Sequence, residues 1–227
     1  MSILFHSFTL TGDWHRQQGA ANQDCVRCVH TPECAAAVLS DGASGCRMGR
    51  RAAQLVCGAA VRLVEEQGKK FFRLPEKKLA WLLGEHLLHT LECAARADGI
   101  PLDEYGCTFS MVYLEIMTGR TVLIRLGDSA VFSVREGALH TELAPCRDAQ
   151  GQPVLVCDGG LHKALRIRTL HTGPGACSYI LAADGLWQLE DPKITQALRR
   201  QDLPALDTLL LRAQPQDDCS YIALTQT

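Results

Sequence analysis

The sequence lacks any apolar run long enough to span a lipid bilayer, which argues against a membrane-spanning helix. Its formal net charge is only −2, so no overall field favours nucleic acid or an anionic membrane surface. The N-terminal residues lack a basic segment followed by a long apolar core, and we therefore expect no secretory signal. These absences predict a cytoplasmic protein that binds neither nucleic acid nor membrane.

A disulfide framework is also absent from the pattern, although cysteine is abundant. The 11 cysteines are odd in number and occur singly within apolar segments. This favours small buried thiols in a reducing compartment over disulfides. Cys25, Cys28 and Cys34 raise the alternative of zinc or redox chemistry. However, residues three apart on a strand face opposite sides, and a second pair of ligands is missing.

The 227 residues, 47% hydrophobic and 21% charged, are enough for one large domain or two small ones. Because no linker or low-complexity segment divides them, we predict a single α+β domain over residues 1–227, with helices covering packed sheets. Residues 144–162, rich in Pro, Gly and Asp, predict a long surface loop. The predicted helices lie near 49–67, 75–97, 192–200 and 204–213. The predicted strands include 25–29, 34–40, 107–116, 121–126, 130–134, 179–183 and 219–224, with another strand before a polar loop at 12–19.

Two apolar runs end in the dipeptide Asp-Gly. The first, Cys34–Leu39, leads through Ser40 into Asp41 and Gly42, and the second, Tyr179–Ala183, leads into Asp184-Gly185. The turn-like sequence after Gly42 favours a strand over a helix for the first run. One Asp-Gly alone also suits a tight hairpin. Two such strand ends instead predict two carboxylates that converge on one metal or phosphate site.

Further acids occupy similar breaks in the chain: Asp24, Asp128, and Asp217 or its neighbour Asp218. If these carboxylates converge, their repulsion raises their proton affinity unless cations neutralise them. A set of oxygen ligands favours Mg²⁺ or Mn²⁺ over zinc or copper. Two such ions can bind a phosphate and lower the pKa of a bridging water. For any one of these residues, the alternative is an ordinary turn cap.

Six motifs, in order along nearly the whole chain, resemble those of the metal-dependent protein phosphatase family, the type 2C Ser/Thr phosphatases. Each motif alone is weak, but the six in sequence are a specific signal. A Gly-x-x-His…Gln-Asp spacing formed by Gly12, His15 and Asp24 is similar to that of a bacterial branch. The motifs are Asn22-Gln23-Asp24, Leu39-Ser40-Asp41-Gly42, Gly106-Cys107-Thr108, Leu126-Gly127-Asp128-Ser129, Ala183-Asp184-Gly185-Leu186-Trp187 and Asp217-Asp218-Cys219-Ser220.

The resemblance implies a four-layer α-β-β-α sandwich, in which two mainly antiparallel sheets are flanked by helices and the active site lies at one end. It implies that Asp41 bridges two Mn²⁺ or Mg²⁺ ions, with the Gly42 carbonyl on one of them. Asp24, Asp184 and Asp217 would bind metal directly or through water, and Asp128 would serve a third, looser ion. The implied catalytic residues are Asp41, Asp24 and Asp184. The implied reaction is hydrolysis of phosphoserine or phosphothreonine by a metal-activated water.

Two positions depart from the family pattern. The Arg that grips phosphate before the first acidic motif is missing near Gly19, and His15 and Arg16 are the nearest candidates. We therefore predict that Arg16 anchors the substrate phosphate and that His15 orients the loop or a water. The His that follows Asp-Gly in many eukaryotic members is Ala43 here, which weakens a general-acid role.

Three functions remain open from the sequence. The leading one is a phosphatase, expected to be monomeric, that acts on phosphoproteins produced by a Ser/Thr kinase. The alternatives are a regulatory or binding module without turnover and a small-molecule phosphohydrolase. Arg47, Arg50 and Arg51 indicate either a solvated helix face or a docking surface for acidic substrates. His86 and His89 lie in a leucine-rich helix, which favours packing over a metal pair.

Overall fold

The computed structural model describes residues 2–171 and 177–227. Two sheets pack face to face within this part of the chain, and helices cover their outer faces. The elements are β1 (Ile3–Leu10), α1 (Asp13–Gln17), β2 (Cys25–His30), β3 (Cys34–Ser40), α2 (Gly49–Phe72), α3 (Glu76–Asp98), β4 (Phe109–Glu115), β5 (Arg120–Leu126), β6 (Ala130–Arg135), β7 (Ala138–Leu143), β8 (Arg166–His171), β9 (Cys177–Ala182), α4 (Asp184–Trp187), α5 (Pro192–Arg200), α6 (Leu203–Ala213) and β10 (Cys219–Gln226).

Both sheets are antiparallel throughout. One has the strand order β1-β10-β9-β6-β7, and the other has the order β2-β3-β4-β5-β8. Apolar side chains of α2 and α3 pack on the second sheet, and those of α5 and α6 pack on the first. The predicted four-layer sandwich is therefore confirmed.

Strand β3 is an inner strand of the second sheet, and all seven of its residues are buried. Ala35, Ala37 and Leu39 face the opposite sheet, whereas Ala36 and Val38 face the helices. A strand covered on both sides has no solvent face, so its sequence is continuously apolar rather than alternating. The small alanines let the helical layer and the opposite sheet approach the strand closely.

Helix α2 extends further than its sequence pattern predicts. The predicted end near residue 67 coincides with a break at Gly68, whose backbone leaves the helical region. The chain then resumes a helical course as far as Phe72, which is fully buried. Periodicity alone stops at the break because glycine is a poor helix former.

Strands β7 and β8 were not predicted. Each lies at the edge of its sheet, and each exposes several polar residues. Edge strands are commonly polar because they must avoid pairing with other chains, so an apolar run does not mark them. Similarly, α1 falls in the predicted polar loop, since its five residues are too few to show a helical period.

The segment 144–162 is more than a surface loop, and that prediction was partly wrong. It contains a short 3₁₀ turn at Val156–Asp158, and another turn begins at Leu161. The side chains of Val156 and Leu161 are buried in the core beneath α2 and α3. These two anchors fix the segment against the helical layer.

The cysteines are free thiols, and six of them are buried. Cys25 is buried and Cys28 is exposed, so the two lie on opposite faces of β2 as their spacing predicts. His86 and His89 point to solvent while the leucines between them pack inward, consistent with a packed helix. None of the helices in the described ranges combines the length and apolarity needed to cross a membrane.

Candidate active site

Asp41 follows directly after β3 and is held through its backbone by Thr108. The Asp41 N–H donates to the Thr108 hydroxyl at 3.1 Å, and the Thr108 N–H donates to the Asp41 carbonyl at 2.8 Å. The Ser40 hydroxyl also donates to the Thr108 carbonyl at 2.6 Å. Thr108 is buried just before β4. The Gly-Cys-Thr motif therefore fixes the peptide from which the Asp41 carboxylate enters the site.

Gly42 is required by the close packing of this strand end against α2. A Cβ at this position would lie 2.5 Å from the carbonyl carbon of Gly49 and 2.8 Å from the amide nitrogen of Arg50. Real Cβ atoms do not approach backbone so closely, so any other residue would push the strand end away from the helix. The predicted role of the Gly42 carbonyl as a metal ligand stays a prediction.

Asp184 begins the short helix α4, and its neighbours tie this turn to two other parts of the site. A Cβ on Gly185 would lie 2.2 Å from the carbonyl oxygen of Asp218, so the turn packs on the late loop. The indole N–H of Trp187 donates to the Asp128 carbonyl at 2.9 Å. The Gly and Trp of the Asp-Gly-Leu-Trp motif thus set the distances between three acidic segments.

The late loop contains two neighbouring acids with different environments. Asp218 is buried, where its Oδ1 accepts the Gly12 N–H at 2.8 Å and its Oδ2 accepts the Gln23 N–H at 2.6 Å. The Nδ1 of His15 lies 2.9 Å from the same Oδ1. Asp217 is exposed and lines the cavity. Asp218 therefore ties the loop to the N-terminal segment, and Asp217 is the acid available to a ligand.

These segments meet at a cavity of about 610 Å³ at one end of the sandwich. Four of the predicted acids line its wall, each from a separate place in the fold: Asp41, Asp128, Asp184 and Asp217. Asp148 and Asp158 also line it, and their carboxylates accept backbone N–H groups of their own turns. The other predicted acid, Asp24, has both carboxylate oxygens buried without a hydrogen bond of normal geometry. A buried carboxylate without a donor is suited to bind a cation or a proton.

Crowding of these acids disturbs their protonation. Burial is the largest cause that raises the pKa of Asp24 to about 8, and the nearby Asp218 and Asp184 charges add to it, against opposing interactions with Ser220 and Asp41. Burial and then the charges of its acidic neighbours, Asp24 first, hold the pKa of Asp41 well above its ordinary value. Burial, Asp128 and Asp217 raise the pKa of Asp184 to about 6, although Arg147 opposes them. Without a nearby cation, these acids therefore keep their protons to higher pH than an ordinary Asp does.

The chemistry of these groups fits a hard divalent cation. Carboxylate oxygens are the ligands that Mg²⁺ and Mn²⁺ prefer, and the two buried oxygens of Asp24 have no other partner of normal geometry. Within residues 2–171 and 177–227, however, no three acidic, imidazole or thiol groups already stand at the spacing of a preformed ion site. The donor set is therefore present around one cavity but is not assembled into a cage.

The structure places the two predicted phosphate-binding residues away from the cavity wall. His15 is only 1% exposed and lies against Asp218, with its ring packed edge-to-face on Trp14. Arg16 is exposed and pairs with Asp13 in the same helical turn. Neither belongs to the lining of the cavity in the described part of the chain. Their predicted contacts with phosphate are untested, and the geometry does not favour them.

Arg147 is the cation that does reach the cavity, and the sequence reasoning missed it. Its Nη2 lies 2.7 Å from Asp128 Oδ2 and 3.4 Å from Asp184 Oδ2. It is the single Lys or Arg among the described residues that line the cavity. The only signal in the sequence was a lone Arg in the predicted loop 144–162.

Comparison with known proteins agrees with this arrangement. A family model described as Protein phosphatase 2C matches residues 11–217. A search of curated proteins gives no match. Similar solved structures therefore provide the remaining comparison.

Three of these structures illustrate the similarity in fold. A bacterial serine phosphatase has 16% identity and a TM-score of 0.72, with 99% of this chain and 98% of that one covered. The Mycobacterium tuberculosis serine/threonine phosphatase PstP/Ppp has 17% identity and a TM-score of 0.70, with 99% and 98% covered. RsbX in complex with magnesium has 13% identity and a TM-score of 0.67, with 99% and 96% covered.

Proposed function

Because this chain belongs to the protein phosphatase 2C family, we propose that it is a metal-dependent phosphatase that hydrolyses phosphoserine and phosphothreonine in proteins. The observation that carries the proposal is the convergence of Asp41, Asp128, Asp184 and Asp217 on one cavity. Each comes from a different part of the fold, and each is anchored by the residues around it.

We assign Asp24, Asp41, Asp184 and Asp217 to the binding of two divalent ions, Mn²⁺ or Mg²⁺. The magnesium in the similar RsbX structure supports the choice of metal. When bound, such ions stabilise the charge that develops on phosphate and lower the pKa of a water molecule at the site. Thr108 contributes by fixing the Asp41 peptide, and Asp218 contributes by fixing the loop that carries Asp217.

Arg147 is our choice for a direct contact with the substrate phosphate, in place of Arg16. Its side chain is at the cavity wall and 43% exposed, and its Nη2 donates to the carboxylates of Asp128 and Asp184. The remaining N–H groups can donate to phosphate oxygens in a fork geometry. The lining holds no imidazole among the described residues, so we assign protonation of the leaving oxygen to solvent.

A binding module without turnover is the second candidate, and one observation favours it. The carboxylates do not form a preassembled ion site in the described structure, and Arg147 already neutralises part of their charge. A protein of this kind would keep the fold and the cavity while binding a phosphorylated partner. The retention of every acid in the six motifs favours the enzyme.

A hydrolysis assay separates the candidates. The purified chain is tested on an aryl phosphate and on phosphothreonine and phosphoserine peptides, with Mn²⁺, with Mg²⁺ and with a chelator. We expect turnover of the peptides that requires metal and is abolished by the chelator. Absence of turnover with either ion would leave the binding module, and turnover of the aryl phosphate alone would favour a small-molecule phosphohydrolase. Full activity in chelator after dialysis would contradict the metal assignment.

A further inference from the structure

Arg147 contacts two of the carboxylates that line the cavity. The Asp128 side chain is only 4% exposed, and Arg147 Nη2 approaches its Oδ2 at 2.7 Å. The same nitrogen lies 3.4 Å from Asp184 Oδ2, which also accepts a hydrogen bond from Gln188 Nε2 at 2.9 Å. One guanidinium nitrogen therefore bridges two carboxylates from separate elements, as a bound cation would.

The backbone around Arg147 is fixed to the same turn that carries Asp128. The N–H of Cys146 donates to the Gly127 carbonyl at 3.2 Å, and Arg147 forms an antiparallel bridge with Pro153. The Asp148 N–H donates to the Gln152 carbonyl at 2.7 Å and closes this small hairpin. The position of the guanidinium is therefore set by backbone contacts in addition to its attraction to the acids.

The positive charge of Arg147 opposes the binding of a divalent ion to the same carboxylates. A guanidinium stays positive at every physiological pH, and it attracts both carboxylates although solvent screens a side chain that is 43% exposed. A divalent ion that bound both Asp128 and Asp184 would have to displace Arg147 or sit beside its positive charge. Either route weakens binding of that ion.

We propose that Arg147 is a tethered cation that neutralises Asp128 and Asp184 and thereby excludes a further divalent ion from these two carboxylates. The inference rests on the proposed function, because it assumes that the other acids of the cavity bind divalent ions. The carboxylates are then neutralised in two ways. Exchangeable ions bind at Asp24, Asp41 and Asp217, and the Arg147 side chain pairs with Asp128. Asp184 lies between the two.

Counting bound Mn²⁺ tests this without relying on activity. Metal-free protein is titrated with Mn²⁺, and the free ion is followed by electron paramagnetic resonance for wild type, Arg147→Gln and Arg147→Lys. We expect Arg147→Gln to gain a binding event, or to bind its weakest ion about tenfold more tightly or better, since a repelling charge is gone. Arg147→Lys keeps the charge and should resemble wild type. Adding Asp128→Asn to Arg147→Gln should remove the gain.

The matched control is Arg62→Gln, which removes the same charge from the exposed face of α2, away from the cavity. It should leave the isotherm unchanged. Identical isotherms for wild type and Arg147→Gln would overturn the inference, as would a gain that persists with Asp128→Asn. If Mn²⁺-dependent phosphatase activity accompanies identical isotherms, only the inference fails. If neither protein binds Mn²⁺, the inference and the proposed function fail together.

Discussion

Strand β4 connects a single buried acid, Glu115, with the group of acids at the cavity. The two ends differ in the number of hydrogen-bond donors that each acid has. At its end, Glu115 is buried and accepts hydrogen bonds from Arg73 Nε at 2.9 Å and Nη2 at 2.8 Å, and from the Thr118 hydroxyl at 3.0 Å. Arg120 lies 3.7 Å away as a second cation. Just before the strand begins, Thr108 holds Asp41 in a cavity where several acids share Arg147.

The pKa values of the acids at the two ends of β4 are shifted in opposite directions. The hydrogen bond with Arg73 is the largest cause that lowers the pKa of Glu115, against the effect of burial. Burial and neighbouring acids raise the pKa of Asp24, Asp41 and Asp184 instead. A buried acid surrounded by its own donors stabilises the fold, whereas a group of acids without enough donors is arranged to take up cations. The comparison separates an acid with its own donors from acids that lack them.

Asp41→Asn should give the largest effect in the acidic cavity. The amide keeps the shape but removes the charge needed to hold two cations, so metal-dependent turnover should fall by about three orders of magnitude or more. Without metal, the free energy of unfolding should stay unchanged or rise by roughly 1 kcal/mol, because repulsion is relieved. Steady-state kinetics and denaturant unfolding measure the two. Near-normal turnover, or strong destabilisation without metal, would show that Asp41 is a structural turn residue.

Gly185→Ala tests the packing that positions the acids. Its Cβ would lie 2.2 Å from the Asp218 carbonyl oxygen, so the α4 turn and the late loop must separate. We expect destabilisation of up to about 3 kcal/mol, the scale of overpacking in a core, together with a loss of metal affinity. Gly58→Ala is the matched control, because its Cβ meets only the flexible end of Arg62 at 3.6 Å. The control should stabilise α2 slightly. Equal stability of the two variants would contradict the described packing.

Glu115→Gln tests the other end of β4. Removing a buried, hydrogen-bonded charge should destabilise the protein by about 2 kcal/mol at pH 7 without changing metal affinity. The lowered pKa means that Glu115 stabilises the fold above its unfolded pKa and that this contribution is lost as pH falls through the folded pKa. The difference from wild type should therefore shrink in acid. Glu92→Gln, at a partly exposed position on α3, should cost less than about 0.5 kcal/mol. A constant difference at all pH values would show that the effect is steric.

The stability of the metal-free protein should change with pH in the opposite direction because of Asp24. Asp24 has a pKa of about 8 in the folded protein, against roughly 4 in an unfolded chain. Between these values, the folded form binds more protons than the unfolded form, so stability should fall as pH rises. Asp24→Asn should flatten this decline by roughly 1 kcal/mol per pH unit. Urea unfolding at pH 5 to 8 in chelator measures it, and parallel curves for variant and wild type would contradict it.

The sequence predicted most of the framework because its inner strands are apolar along their whole length. β3 and β9, which are covered on both faces, show this clearly, and each leads directly to Asp41 or Asp184. The edge strands β7 and β8 were missed because their polar residues face solvent. Local pattern therefore locates acids at strand ends, but not edge strands whose exposed residues are mostly polar.

Contacts between distant segments were the part that local pattern could not supply. Arg147 meets Asp128 and Asp184 only because a hairpin in the 144–162 segment folds back on the Gly127 turn. His15 is adjacent in sequence to an exposed Trp, yet its ring is buried against Asp218. Spacing along the chain suggested that His15 and Arg16 reach phosphate, whereas the geometry points to Arg147.

The most direct test of the comparison is the thermal stability of the metal-free protein with and without Mn²⁺. A ligand that binds only the folded form raises the melting temperature in proportion to its binding free energy. We predict a clear rise for wild type, a similar rise for Glu115→Gln from a lower starting point, and a much smaller rise for Asp41→Asn. No rise for wild type, or an equal rise for Asp41→Asn, would contradict the claim that the uncompensated acids of this cavity bind divalent ions.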